Sequence, residues 1–318
     1  MENNCQGGVA GLNHKAAEGI RRALKLGSIE QDVPMARFTS FRAGGAAEYL
    51  VTPGNEEELL EALAIIAGFG VPFFVLGNGT NLLVRDGGFE GFIIHIGKNF
   101  SDISVEGETL RAGAGALLSE AAGAALGASL GGLEFAAGIP GSVGGAVSMN
   151  AGAFGGEIKD VLAGAELAFA GGAAGPCISE AGNGAMGFSY RRCALCEAGG
   201  IVIGAAMKLR RTERAGIEAA MRDYAQRRAE KQPLSMPSAG SFFKRPEGSY
   251  AGRLISDAGL KGLSVGGAQV SELHAGFIVN RGGATAADIC RLMEMVQKAV
   301  YERFGAVLEP EVKIIGKV

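Results

Sequence analysis

Tryptophan is absent from this chain of 318 residues, and histidine occurs only three times. Neither sign of charge dominates either, because 30 Lys and Arg residues stand against 33 Asp and Glu residues, for a net charge of −3. This balance disfavours a nucleic-acid-binding domain, which would be basic. The expected partners are therefore small molecules.

Cysteine is sparse, and its pattern predicts neither disulfides nor a metal site. The five cysteines are an odd number, are dispersed and follow no signal peptide, so we expect free thiols in a reducing cytoplasm. They are Cys5, Cys177, Cys193, Cys196 and Cys290. Cys193 and Cys196 form a CxxC motif, but no second pair lies at zinc spacing. The most apolar stretch, residues 112–133, is rich in Gly and Ala and contains Glu120, so it predicts no membrane span.

Glycine, by contrast, is abundant, with 53 residues, and its densest run is GIPGSVGGAVSMNAGAFGG at residues 138–156. Glycine lets backbone N–H groups approach a phosphate closely. A second segment, GNGTN at residues 77–81, offers consecutive N–H groups with amide and hydroxyl side chains. Its alternative interpretation is an Asn-Gly hairpin turn. Neither loop fits the GxGxxG fingerprint, so we predict a nucleotide-like cofactor in a site that is not of the Rossmann type.

The hydrophobic periodicity predicts a mixed α+β protein with two lobes. Asn55 is expected to cap a helix, with Glu58 closing a capping box and Gly68 or Gly70 ending the helix. Strands are predicted at residues 73–76, 82–84, 92–96, 109–116, 163–170 and 201–209. Further helices are predicted at residues 117–130, 212–231, 250–258 and 285–304, and the third of these is a short helix closed by Gly259. The charged helix at residues 212–231 is expected to contain the hinge between the lobes.

Three further segments carry groups that could take part in chemistry. FSYRR at residues 188–192 contains Arg191, which could clamp a carboxylate or hold developing negative charge; the alternative is a solvated arginine pair. PSAGSFFKRP at residues 237–246 contains Ser241, whose hydroxyl could deliver a proton. Ser241 does not stand in a GxSxG elbow, and histidine is scarce, so a Ser-His-Asp hydrolase is disfavoured. Glu309 and Glu311 flank a proline before the last strand, where the plainer interpretation is an edge strand with solvated acids.

Taken together and in this order, these segments resemble the UDP-N-acetylenolpyruvoylglucosamine reductases. These flavoenzymes, also called UDP-N-acetylmuramate dehydrogenases, carry out the second committed step of bacterial peptidoglycan precursor synthesis. The resemblance covers the chain from about residue 33 to the C-terminus and rests on six ordered motifs. They are LGNGTNLLV at 76–84, GLEFAAGIPGSVGGAVSMNAGAFGG at 132–156, FSYRR at 188–192, PSAGSFFKRP at 237–246, AGLKGLSVGGAQVSELHAGFIVN at 258–280 and LEPEVKIIG at 308–316.

The resemblance implies an FAD-binding domain of the vanillyl-alcohol-oxidase (PCMH) type, formed by two subdomains, and a C-terminal α+β substrate-binding domain. It implies an N-terminal extension at residues 1–32, the FAD domain at residues 33–212 and the substrate domain at residues 213–318. Tightly bound FAD would contact both glycine loops, and residues 146–156 would pack behind the second loop. The implied cofactor contacts are Gly77, Asn78, Gly79, Thr80, Asn81, Gly138, Pro140, Gly141, Ser142, Gly144, Gly145 and Ile203.

For catalysis, the resemblance implies Arg191 as the catalytic arginine, Ser241 as the proton donor and Glu311 as the acid near the enolpyruvyl group. NADPH would reduce the flavin, and hydride from flavin N5 would reach the methylene carbon of enolpyruvyl UDP-N-acetylglucosamine, giving UDP-N-acetylmuramate. The implied substrate contacts are Tyr190, Lys231 and His274, and Lys231 stands where the family places a basic residue for NADPH and substrate phosphate. We expect a cytoplasmic monomer with no nucleic-acid or membrane partner.

Two departures limit the transfer of roles. Arg245 stands where many members have asparagine, and no tyrosine occurs between Asn150 and Tyr190, so the chain is similar to the shorter type that lacks the tyrosine loop. Two alternatives stay open: a catalytically silent protein that binds FAD or a UDP-sugar, and an oxidase of the same fold that returns its electrons to oxygen. A mere binder need not keep the three catalytic candidates, and an oxidase would need no enolate-quenching serine.

Overall fold

The computed structural model describes residues 6–171 and 175–318, and Cys5 lies outside this part of the chain. The helices are α1 (Gln6–Ala23), α2 (Glu56–Phe69), α3 (Leu118–Gly127), α4 (Val143–Ser148), α5 (Ala194–Glu197), α6 (Arg214–Lys231), α7 (Ala251–Asp257) and α8 (Ala286–Phe304). Short 3₁₀ turns and many strands lie between them, and the α+β expectation is confirmed. Within these residues, no helix combines the length and apolar character that crossing a bilayer requires.

The strands are mostly short, and most pairs are antiparallel. In the first half of the chain they are β1 (Ser28–Pro34), β2 (Ala46–Thr52), β3 (Phe73–Leu76), β4 (Leu82–Val84), β5 (Phe89–His95), β6 (Ile103–Glu106), β7 (Thr109–Gly113), β8 (Leu130–Gly131), β9 (Gly152–Ala153) and β10 (Gly156–Glu157). In the second half they are β11 (Leu162–Phe169), β12 (Cys177–Gly182), β13 (Phe188–Ser189), β14 (Arg192–Cys193), β15 (Ile201–Lys208), β16 (Arg210–Arg211), β17 (Ser238–Ser241), β18 (Ser264–Val265), β19 (Ala268–Val270), β20 (Phe277–Asn280) and β21 (Lys313–Ile315).

The described chain packs as two compact units, each with its own hydrophobic core. The first unit holds the chain up to Gln31, Tyr49–Asn78 and Gly91–Ala225. The second unit holds Asp32–Glu48, Gly79–Glu90 and Gln226–Val318. The chain thus passes between the units inside the GNGTN loop and inside α6. Because packing does not by itself assign function, the three-part division at residues 32 and 212 stays a prediction.

In the first unit, five strands form a sheet in the order β12-β11-β15-β7-β6, and every pair in it is antiparallel. β3 pairs instead with β5, in parallel, within the sheet β1-β2-β5-β3. β4 pairs in parallel with β21, which belongs with it to the second unit. The strands on either side of the GNGTN loop therefore lie in different sheets, and the hairpin interpretation of this loop is wrong.

Helix α2 begins where the sequence predicts, but one of its expected contacts is different. Asn55 caps the helix, its Oδ1 accepting from the Glu58 N–H at 2.9 Å, and Gly70 ends it in the left-handed region with φ 62°. The Glu58 carboxylate does not close a capping box. It accepts backbone N–H groups from Lys25, Leu26, Gly27 and Gly54 at 2.6–2.8 Å. Three of these donors belong to the connection between α1 and β1, and together with Gly54 they replace the Asn55 N–H as the partners of the carboxylate.

The second unit is built on the antiparallel sheet β17-β20-β19-β18 with α8 packed against β18 and β19. Thr285 caps α8 in a capping box with Asp288, and Gly305 ends it with φ 66°. The buried face of α8 carries Ile289, Leu292, Val296 and Val300, the spacing that its sequence predicts. The serine motif lies on β17, at the edge of the sheet opposite β18.

Candidate active site

The two glycine loops meet within the first unit. A Cβ on Gly77 would overlap the Ser142 hydroxyl, so this approach is open only to glycine. The Asn78 side-chain amide donates to the carbonyl of Pro140 at 2.5 Å, which fixes the two loops to each other. The sequence analysis expects both loops at the cofactor. The structure brings Gly77 and Asn78 of the first loop next to Ser142 and Pro140 of the second.

The second loop, residues 138–145, combines an accessible main chain with a buried serine. Gly138, Pro140 and Gly145 are exposed, while Gly141 and Gly144 are half-buried. Ser142 is buried and caps α4, its Oγ accepting from the Gly145 N–H at 3.3 Å. A glycine-rich loop with no charged residue suits the pyrophosphate of FAD. Neither large side chains nor carboxylates stand where the phosphates would approach. The residues present therefore fit the cofactor.

Ile203 lies on β15, and its side chain is buried. It lines a cavity of about 930 Å³ in the first unit, whose floor includes Gly113 and Gly204 on neighbouring strands. Its walls carry several carboxylates, among them Glu166 and Glu180. The cofactor contact predicted for Ile203 stays a prediction.

The rest of the GNGTN loop belongs to the second unit. Gly79 has φ 62°, and a Cβ there would overlap the carbonyl of Phe38. The Asn81 side-chain amide donates to the carbonyl of Glu311 at 3.1 Å. Thr80 is half-buried beside them. This half of the loop is thus tied to the segment that carries the predicted catalytic acid.

Arg191 occupies the second position of the two-residue turn between β13 and β14. Its φ is 57°, in the left-handed region that non-glycine residues seldom adopt. Left-handed backbone at a residue other than glycine costs on the order of 1 kcal/mol, and such residues cluster at functional sites. The turn keeps this conformation because the side chain is held as well.

The guanidinium of Arg191 is held by neutral acceptors and an aromatic face. It donates to the carbonyl of Asn150 at 3.3 Å and to that of Gly152 at 3.0 Å, and it lies 4.9 Å from the centre of the Tyr190 ring. Its side chain is 17% exposed. Arg192, by contrast, is 59% exposed and pairs with Glu197 at 2.6 Å. The solvated-arginine interpretation therefore applies to Arg192 and not to Arg191.

Two residues of this neighbourhood, Asn150 and Glu157, were not identified from the sequence as site residues. Glu157 lies 4.0 Å from the Arg191 guanidinium and 2.7 Å from the Lys159 ammonium. Burial raises the pKa of the Glu157 carboxyl, but hydrogen bonds from Lys159 and Asn150, with the charges of Lys159 and Arg191, outweigh it and lower that pKa. Glu157 is thus held as a carboxylate. Residues 150–157 do more than pack behind the glycine loop, because two of their carbonyls bind Arg191.

Ser241 ends β17 in the second unit, opposite Phe277 of β20. Gly240, with φ 76°, precedes it at an irregularity of the strand, and Phe242 and Phe243 follow it into the core. The buried rings hold the strand while the serine itself stays exposed. The positive φ explains why glycine precedes the serine in this motif.

The serine segment and the C-terminal acidic segment run side by side in opposite directions. The Glu311 N–H donates to the carbonyl of Phe242 at 2.8 Å, and Phe243 pairs with Pro310 in an isolated bridge. Glu311 is half-buried, so the interpretation of it as a solvated edge acid is wrong. Glu309 does fit that interpretation, since it is exposed and pairs with Lys244 at 3.2 Å. The structure thus places two of the three predicted catalytic residues on neighbouring segments.

The predicted substrate contacts differ in their surroundings. Tyr190 is 44% exposed, and Lys231 is exposed at the end of α6. His274 is half-buried, packs edge-on against Phe277 with ring centres 5.0 Å apart, and accepts the Gly276 N–H on Nδ1 at 3.1 Å. Burial lowers the pKa of His274, so the ring is neutral at physiological pH.

The CxxC cysteines and the arginine that departs from the family pattern have local partners. Cys193 is buried, and its thiol donates to the carbonyl of Met186 at 3.4 Å. Burial and the neighbouring Cys193 raise the pKa of the Cys196 thiol, which makes it unreactive. Among the described residues, no cluster of His, Cys, Asp and Glu could hold a metal ion. The Arg245 guanidinium lies 4.0 Å from the centre of the Tyr250 ring.

Comparison with known proteins gives matches over both halves of the chain. Residues 47–174 match the model of an FAD binding domain, and residues 232–315 match the C-terminal domain of UDP-N-acetylenolpyruvoylglucosamine reductase. A UDP-N-acetylenolpyruvoylglucosamine reductase of Caldanaerobacter subterraneus is 48% identical over 94% of this chain and 97% of its own length. The chain belongs to the UDP-N-acetylenolpyruvoylglucosamine reductase family. It is therefore a flavin-dependent oxidoreductase with FAD as its cofactor.

Other members agree over the same length. The reductase of Agathobacter rectalis is 45% identical over 96% of this chain and all of its own. The crystal structure of the reductase from Thermus caldophilus superposes with a TM-score of 0.78 at 37% identity, covering 91% of this chain and 99% of that one. The fold implied by the six motifs, an FAD domain with a C-terminal reductase domain, is confirmed.

Proposed function

We propose that this chain reduces enolpyruvyl UDP-N-acetylglucosamine to UDP-N-acetylmuramate with NADPH, as a monomer in the cytoplasm. The observation that carries the proposal is the placement of Ser241 and Glu311 on neighbouring antiparallel segments of one unit, since a reductase of this kind needs a positioned proton donor. A silent binding protein would not require this pair. FAD, when bound, accepts hydride from NADPH and gives hydride to the methylene carbon of the enolpyruvyl group.

The residues proposed to hold FAD are those of the two glycine loops. Gly77 and Asn78 adjoin Ser142 and Pro140, and the phosphates would lie against the accessible glycine backbone of the second loop, as at Gly138. The same proposal extends to residues 79–81 and to Ile203. It assigns residues 33–212 to cofactor binding and residues 213–318 to the substrate.

Arg191 is proposed to stabilise the negative charge that develops on the carboxylate side of the enolpyruvyl group. Its guanidinium is fixed by the carbonyls of Asn150 and Gly152, so its positive charge keeps one position as the anion forms. Tyr190, beneath it, would stack against the substrate or help to exclude water. A pre-placed charge is worth most in this setting because nothing must reorganise as the anion forms.

Ser241 is proposed to donate its proton to the carbon that bears the carboxylate, and Glu311 to lie close to that group. The Phe242 and Phe243 rings fix the backbone of the serine, so that its hydroxyl is presented in one place. Lys231 is proposed to bind phosphate, and neutral His274 to contact the substrate as a hydrogen-bonding ring. The alcohol proton must be made labile by such neighbours, because an isolated serine is a weak acid.

An anaerobic titration tests the proposal. The purified protein should be yellow, lose its colour when NADPH is added, and regain it when enolpyruvyl UDP-N-acetylglucosamine is added without oxygen. Recovery of colour only on admitting oxygen would identify an oxidase. A yellow protein that NADPH does not bleach would be a binding protein, and either result would overturn the proposal.

A further inference from the structure

Asn150 joins three segments of the first unit around Arg191. Its side chain is buried, and its φ of 44° lies in the left-handed region. Its Nδ2 donates to Glu157 Oε2 at 3.0 Å and to the carbonyl of Ser189 at 3.2 Å, and its Oδ1 accepts the Lys159 N–H at 3.0 Å. Both ends of one amide are therefore used, and the turn that carries Arg191 is fixed to residues 150 and 157–159.

The same segment contacts the arginine directly. The carbonyls of Asn150 and Gly152 accept the guanidinium, while the Glu157 carboxylate stays 4.0 Å away. The Lys159 ammonium holds that carboxylate at 2.7 Å and is itself 45% exposed. Lysine and arginine thus share one carboxylate, and the closer partner is the lysine.

We propose that Asn150 and Glu157 are positioning residues for Arg191, and that Lys159 keeps the Glu157 carboxylate from closing onto the guanidinium. None of the three is a catalytic residue in this scheme, because each acts through Arg191. The inference rests on the proposed function, in which Arg191 holds developing negative charge. A bidentate pair with Glu157 would draw the guanidinium away from its carbonyl acceptors and weaken its hold on the substrate anion.

Replacement of Lys159 gives the sharpest test. In Lys159→Met the carboxylate is released and moves toward Arg191, so return of the flavin colour with substrate should slow about tenfold, while bleaching by NADPH keeps its rate. Lys208→Met is the matched control, since Lys208 is also an exposed lysine, 3.3 Å from Glu108 in the same unit. It should behave as the unchanged protein does. FAD content and melting temperature should stay constant in both variants.

A second substitution separates charge from packing. In Lys159→Met/Glu157→Gln no carboxylate remains to close onto Arg191, and glutamine can still accept from Asn150. We expect the rate of the substrate step to recover most of the tenfold loss. A structural role for Lys159 predicts that the double variant is as slow as Lys159→Met or slower, and that result overturns the proposal.

Asn150 is tested by Asn150→Gly, which deletes the amide and tolerates the positive φ. The substrate step should slow by about a hundredfold, because the guanidinium loses its fixed position. Combined with Arg191→Lys, the same substitution should cost little more, since both changes act on one group. Multiplicative losses in the double variant would mean that Asn150 acts independently of Arg191.

These experiments test the inference separately from the proposed function on which it rests. If the unchanged protein fails to regain its colour with substrate, the proposed function is wrong. If the unchanged protein turns over and Lys159→Met equals it in every step, the function stands and the positioning role of Lys159 is wrong.

Discussion

The Asn81 side-chain amide donates to the carbonyl of Glu311 at 3.1 Å, joining the glycine loop that follows β3 to the segment of the predicted catalytic acid. The backbone continues this contact, because the Lys313 N–H donates to the carbonyl of Asn81 at 3.0 Å. Both residues belong to the second unit. Asn81, which was expected at the cofactor, thus binds the backbone of Glu311 directly.

Asn81→Ala should therefore affect the substrate step more than FAD binding. Loss of the amide frees the carbonyl of Glu311, and we expect about a tenfold slower return of flavin colour with substrate. Asn99→Ala is the control, since Asn99 makes a similar amide contact with the carbonyl of Pro53 at 3.0 Å in the first unit. Stopped-flow absorbance of the flavin measures both steps. Release of FAD with no change in the step rate would instead assign Asn81 to the cofactor alone.

Ser241→Ala should separate the two halves of the reaction. The hydroxyl is proposed as the proton donor, so the substrate step should slow by about two to four orders of magnitude while reduction by NADPH is nearly unchanged. Ser238→Ala, on the same strand, should leave both steps as they are. Equal losses in both halves for Ser241→Ala would point to damage in folding or FAD binding.

Glu58 should be a determinant of stability and of its pH dependence. Burial raises the pKa of its carboxyl, but backbone hydrogen bonds from Leu26, Gly54, Lys25 and Gly27 outweigh it and lower that pKa. A lowered pKa in the folded state stabilises the protein above the unfolded value, and this stabilisation is lost as pH falls through the folded value. The loss should therefore begin below about pH 4.5, the unfolded value.

The matching substitution is Glu58→Gln, which should lower the free energy of unfolding by about 3 kcal/mol because four part-buried N–H groups lose a charged acceptor. Glu61→Gln, on an exposed position of the same helix, should change it by less than about 0.5 kcal/mol. Urea unfolding at pH 7 and at pH 4 measures both. If the two variants lose stability equally, or if the deficit of Glu58→Gln does not shrink at low pH, the carboxylate does not hold this loop.

Local signals predicted the ends of elements well, because caps are made by neighbours in the chain. Thr285 with Asp288 and Gly305 bound α8, and Asn55 with Gly70 bounds α2, as their spacing indicates. Partners distant in sequence were not predicted. Three of the four donors to Glu58 lie 31–33 residues before it, and no periodicity identifies them.

The same contrast between local signals and distant partners holds for the candidate site. Arg191, Ser241 and Glu311 were identifiable because each stands in a motif of its own. Asn150 and Glu157 were not, although both stand inside or beside the glycine-rich run, because their role depends on a turn that returns to them some 40 residues later. The polar residue in an otherwise apolar run was the signal available at Asn150, and its left-handed φ is visible only in the structure.

The left-handed backbone of Arg191 leads to the last prediction, a comparison of Arg191→Gly with Arg191→Ala. Both remove the guanidinium, so both should abolish the substrate step. Only glycine relieves the φ of 57°, so Arg191→Gly should be more stable than Arg191→Ala by about 1 kcal/mol. The order should reverse at Arg192, which lies in β14 with ordinary backbone, where glycine costs about 0.5–1 kcal/mol relative to alanine. Chemical unfolding of the four variants measures the two differences, and the same order at both positions would mean that the turn stores no strain at Arg191.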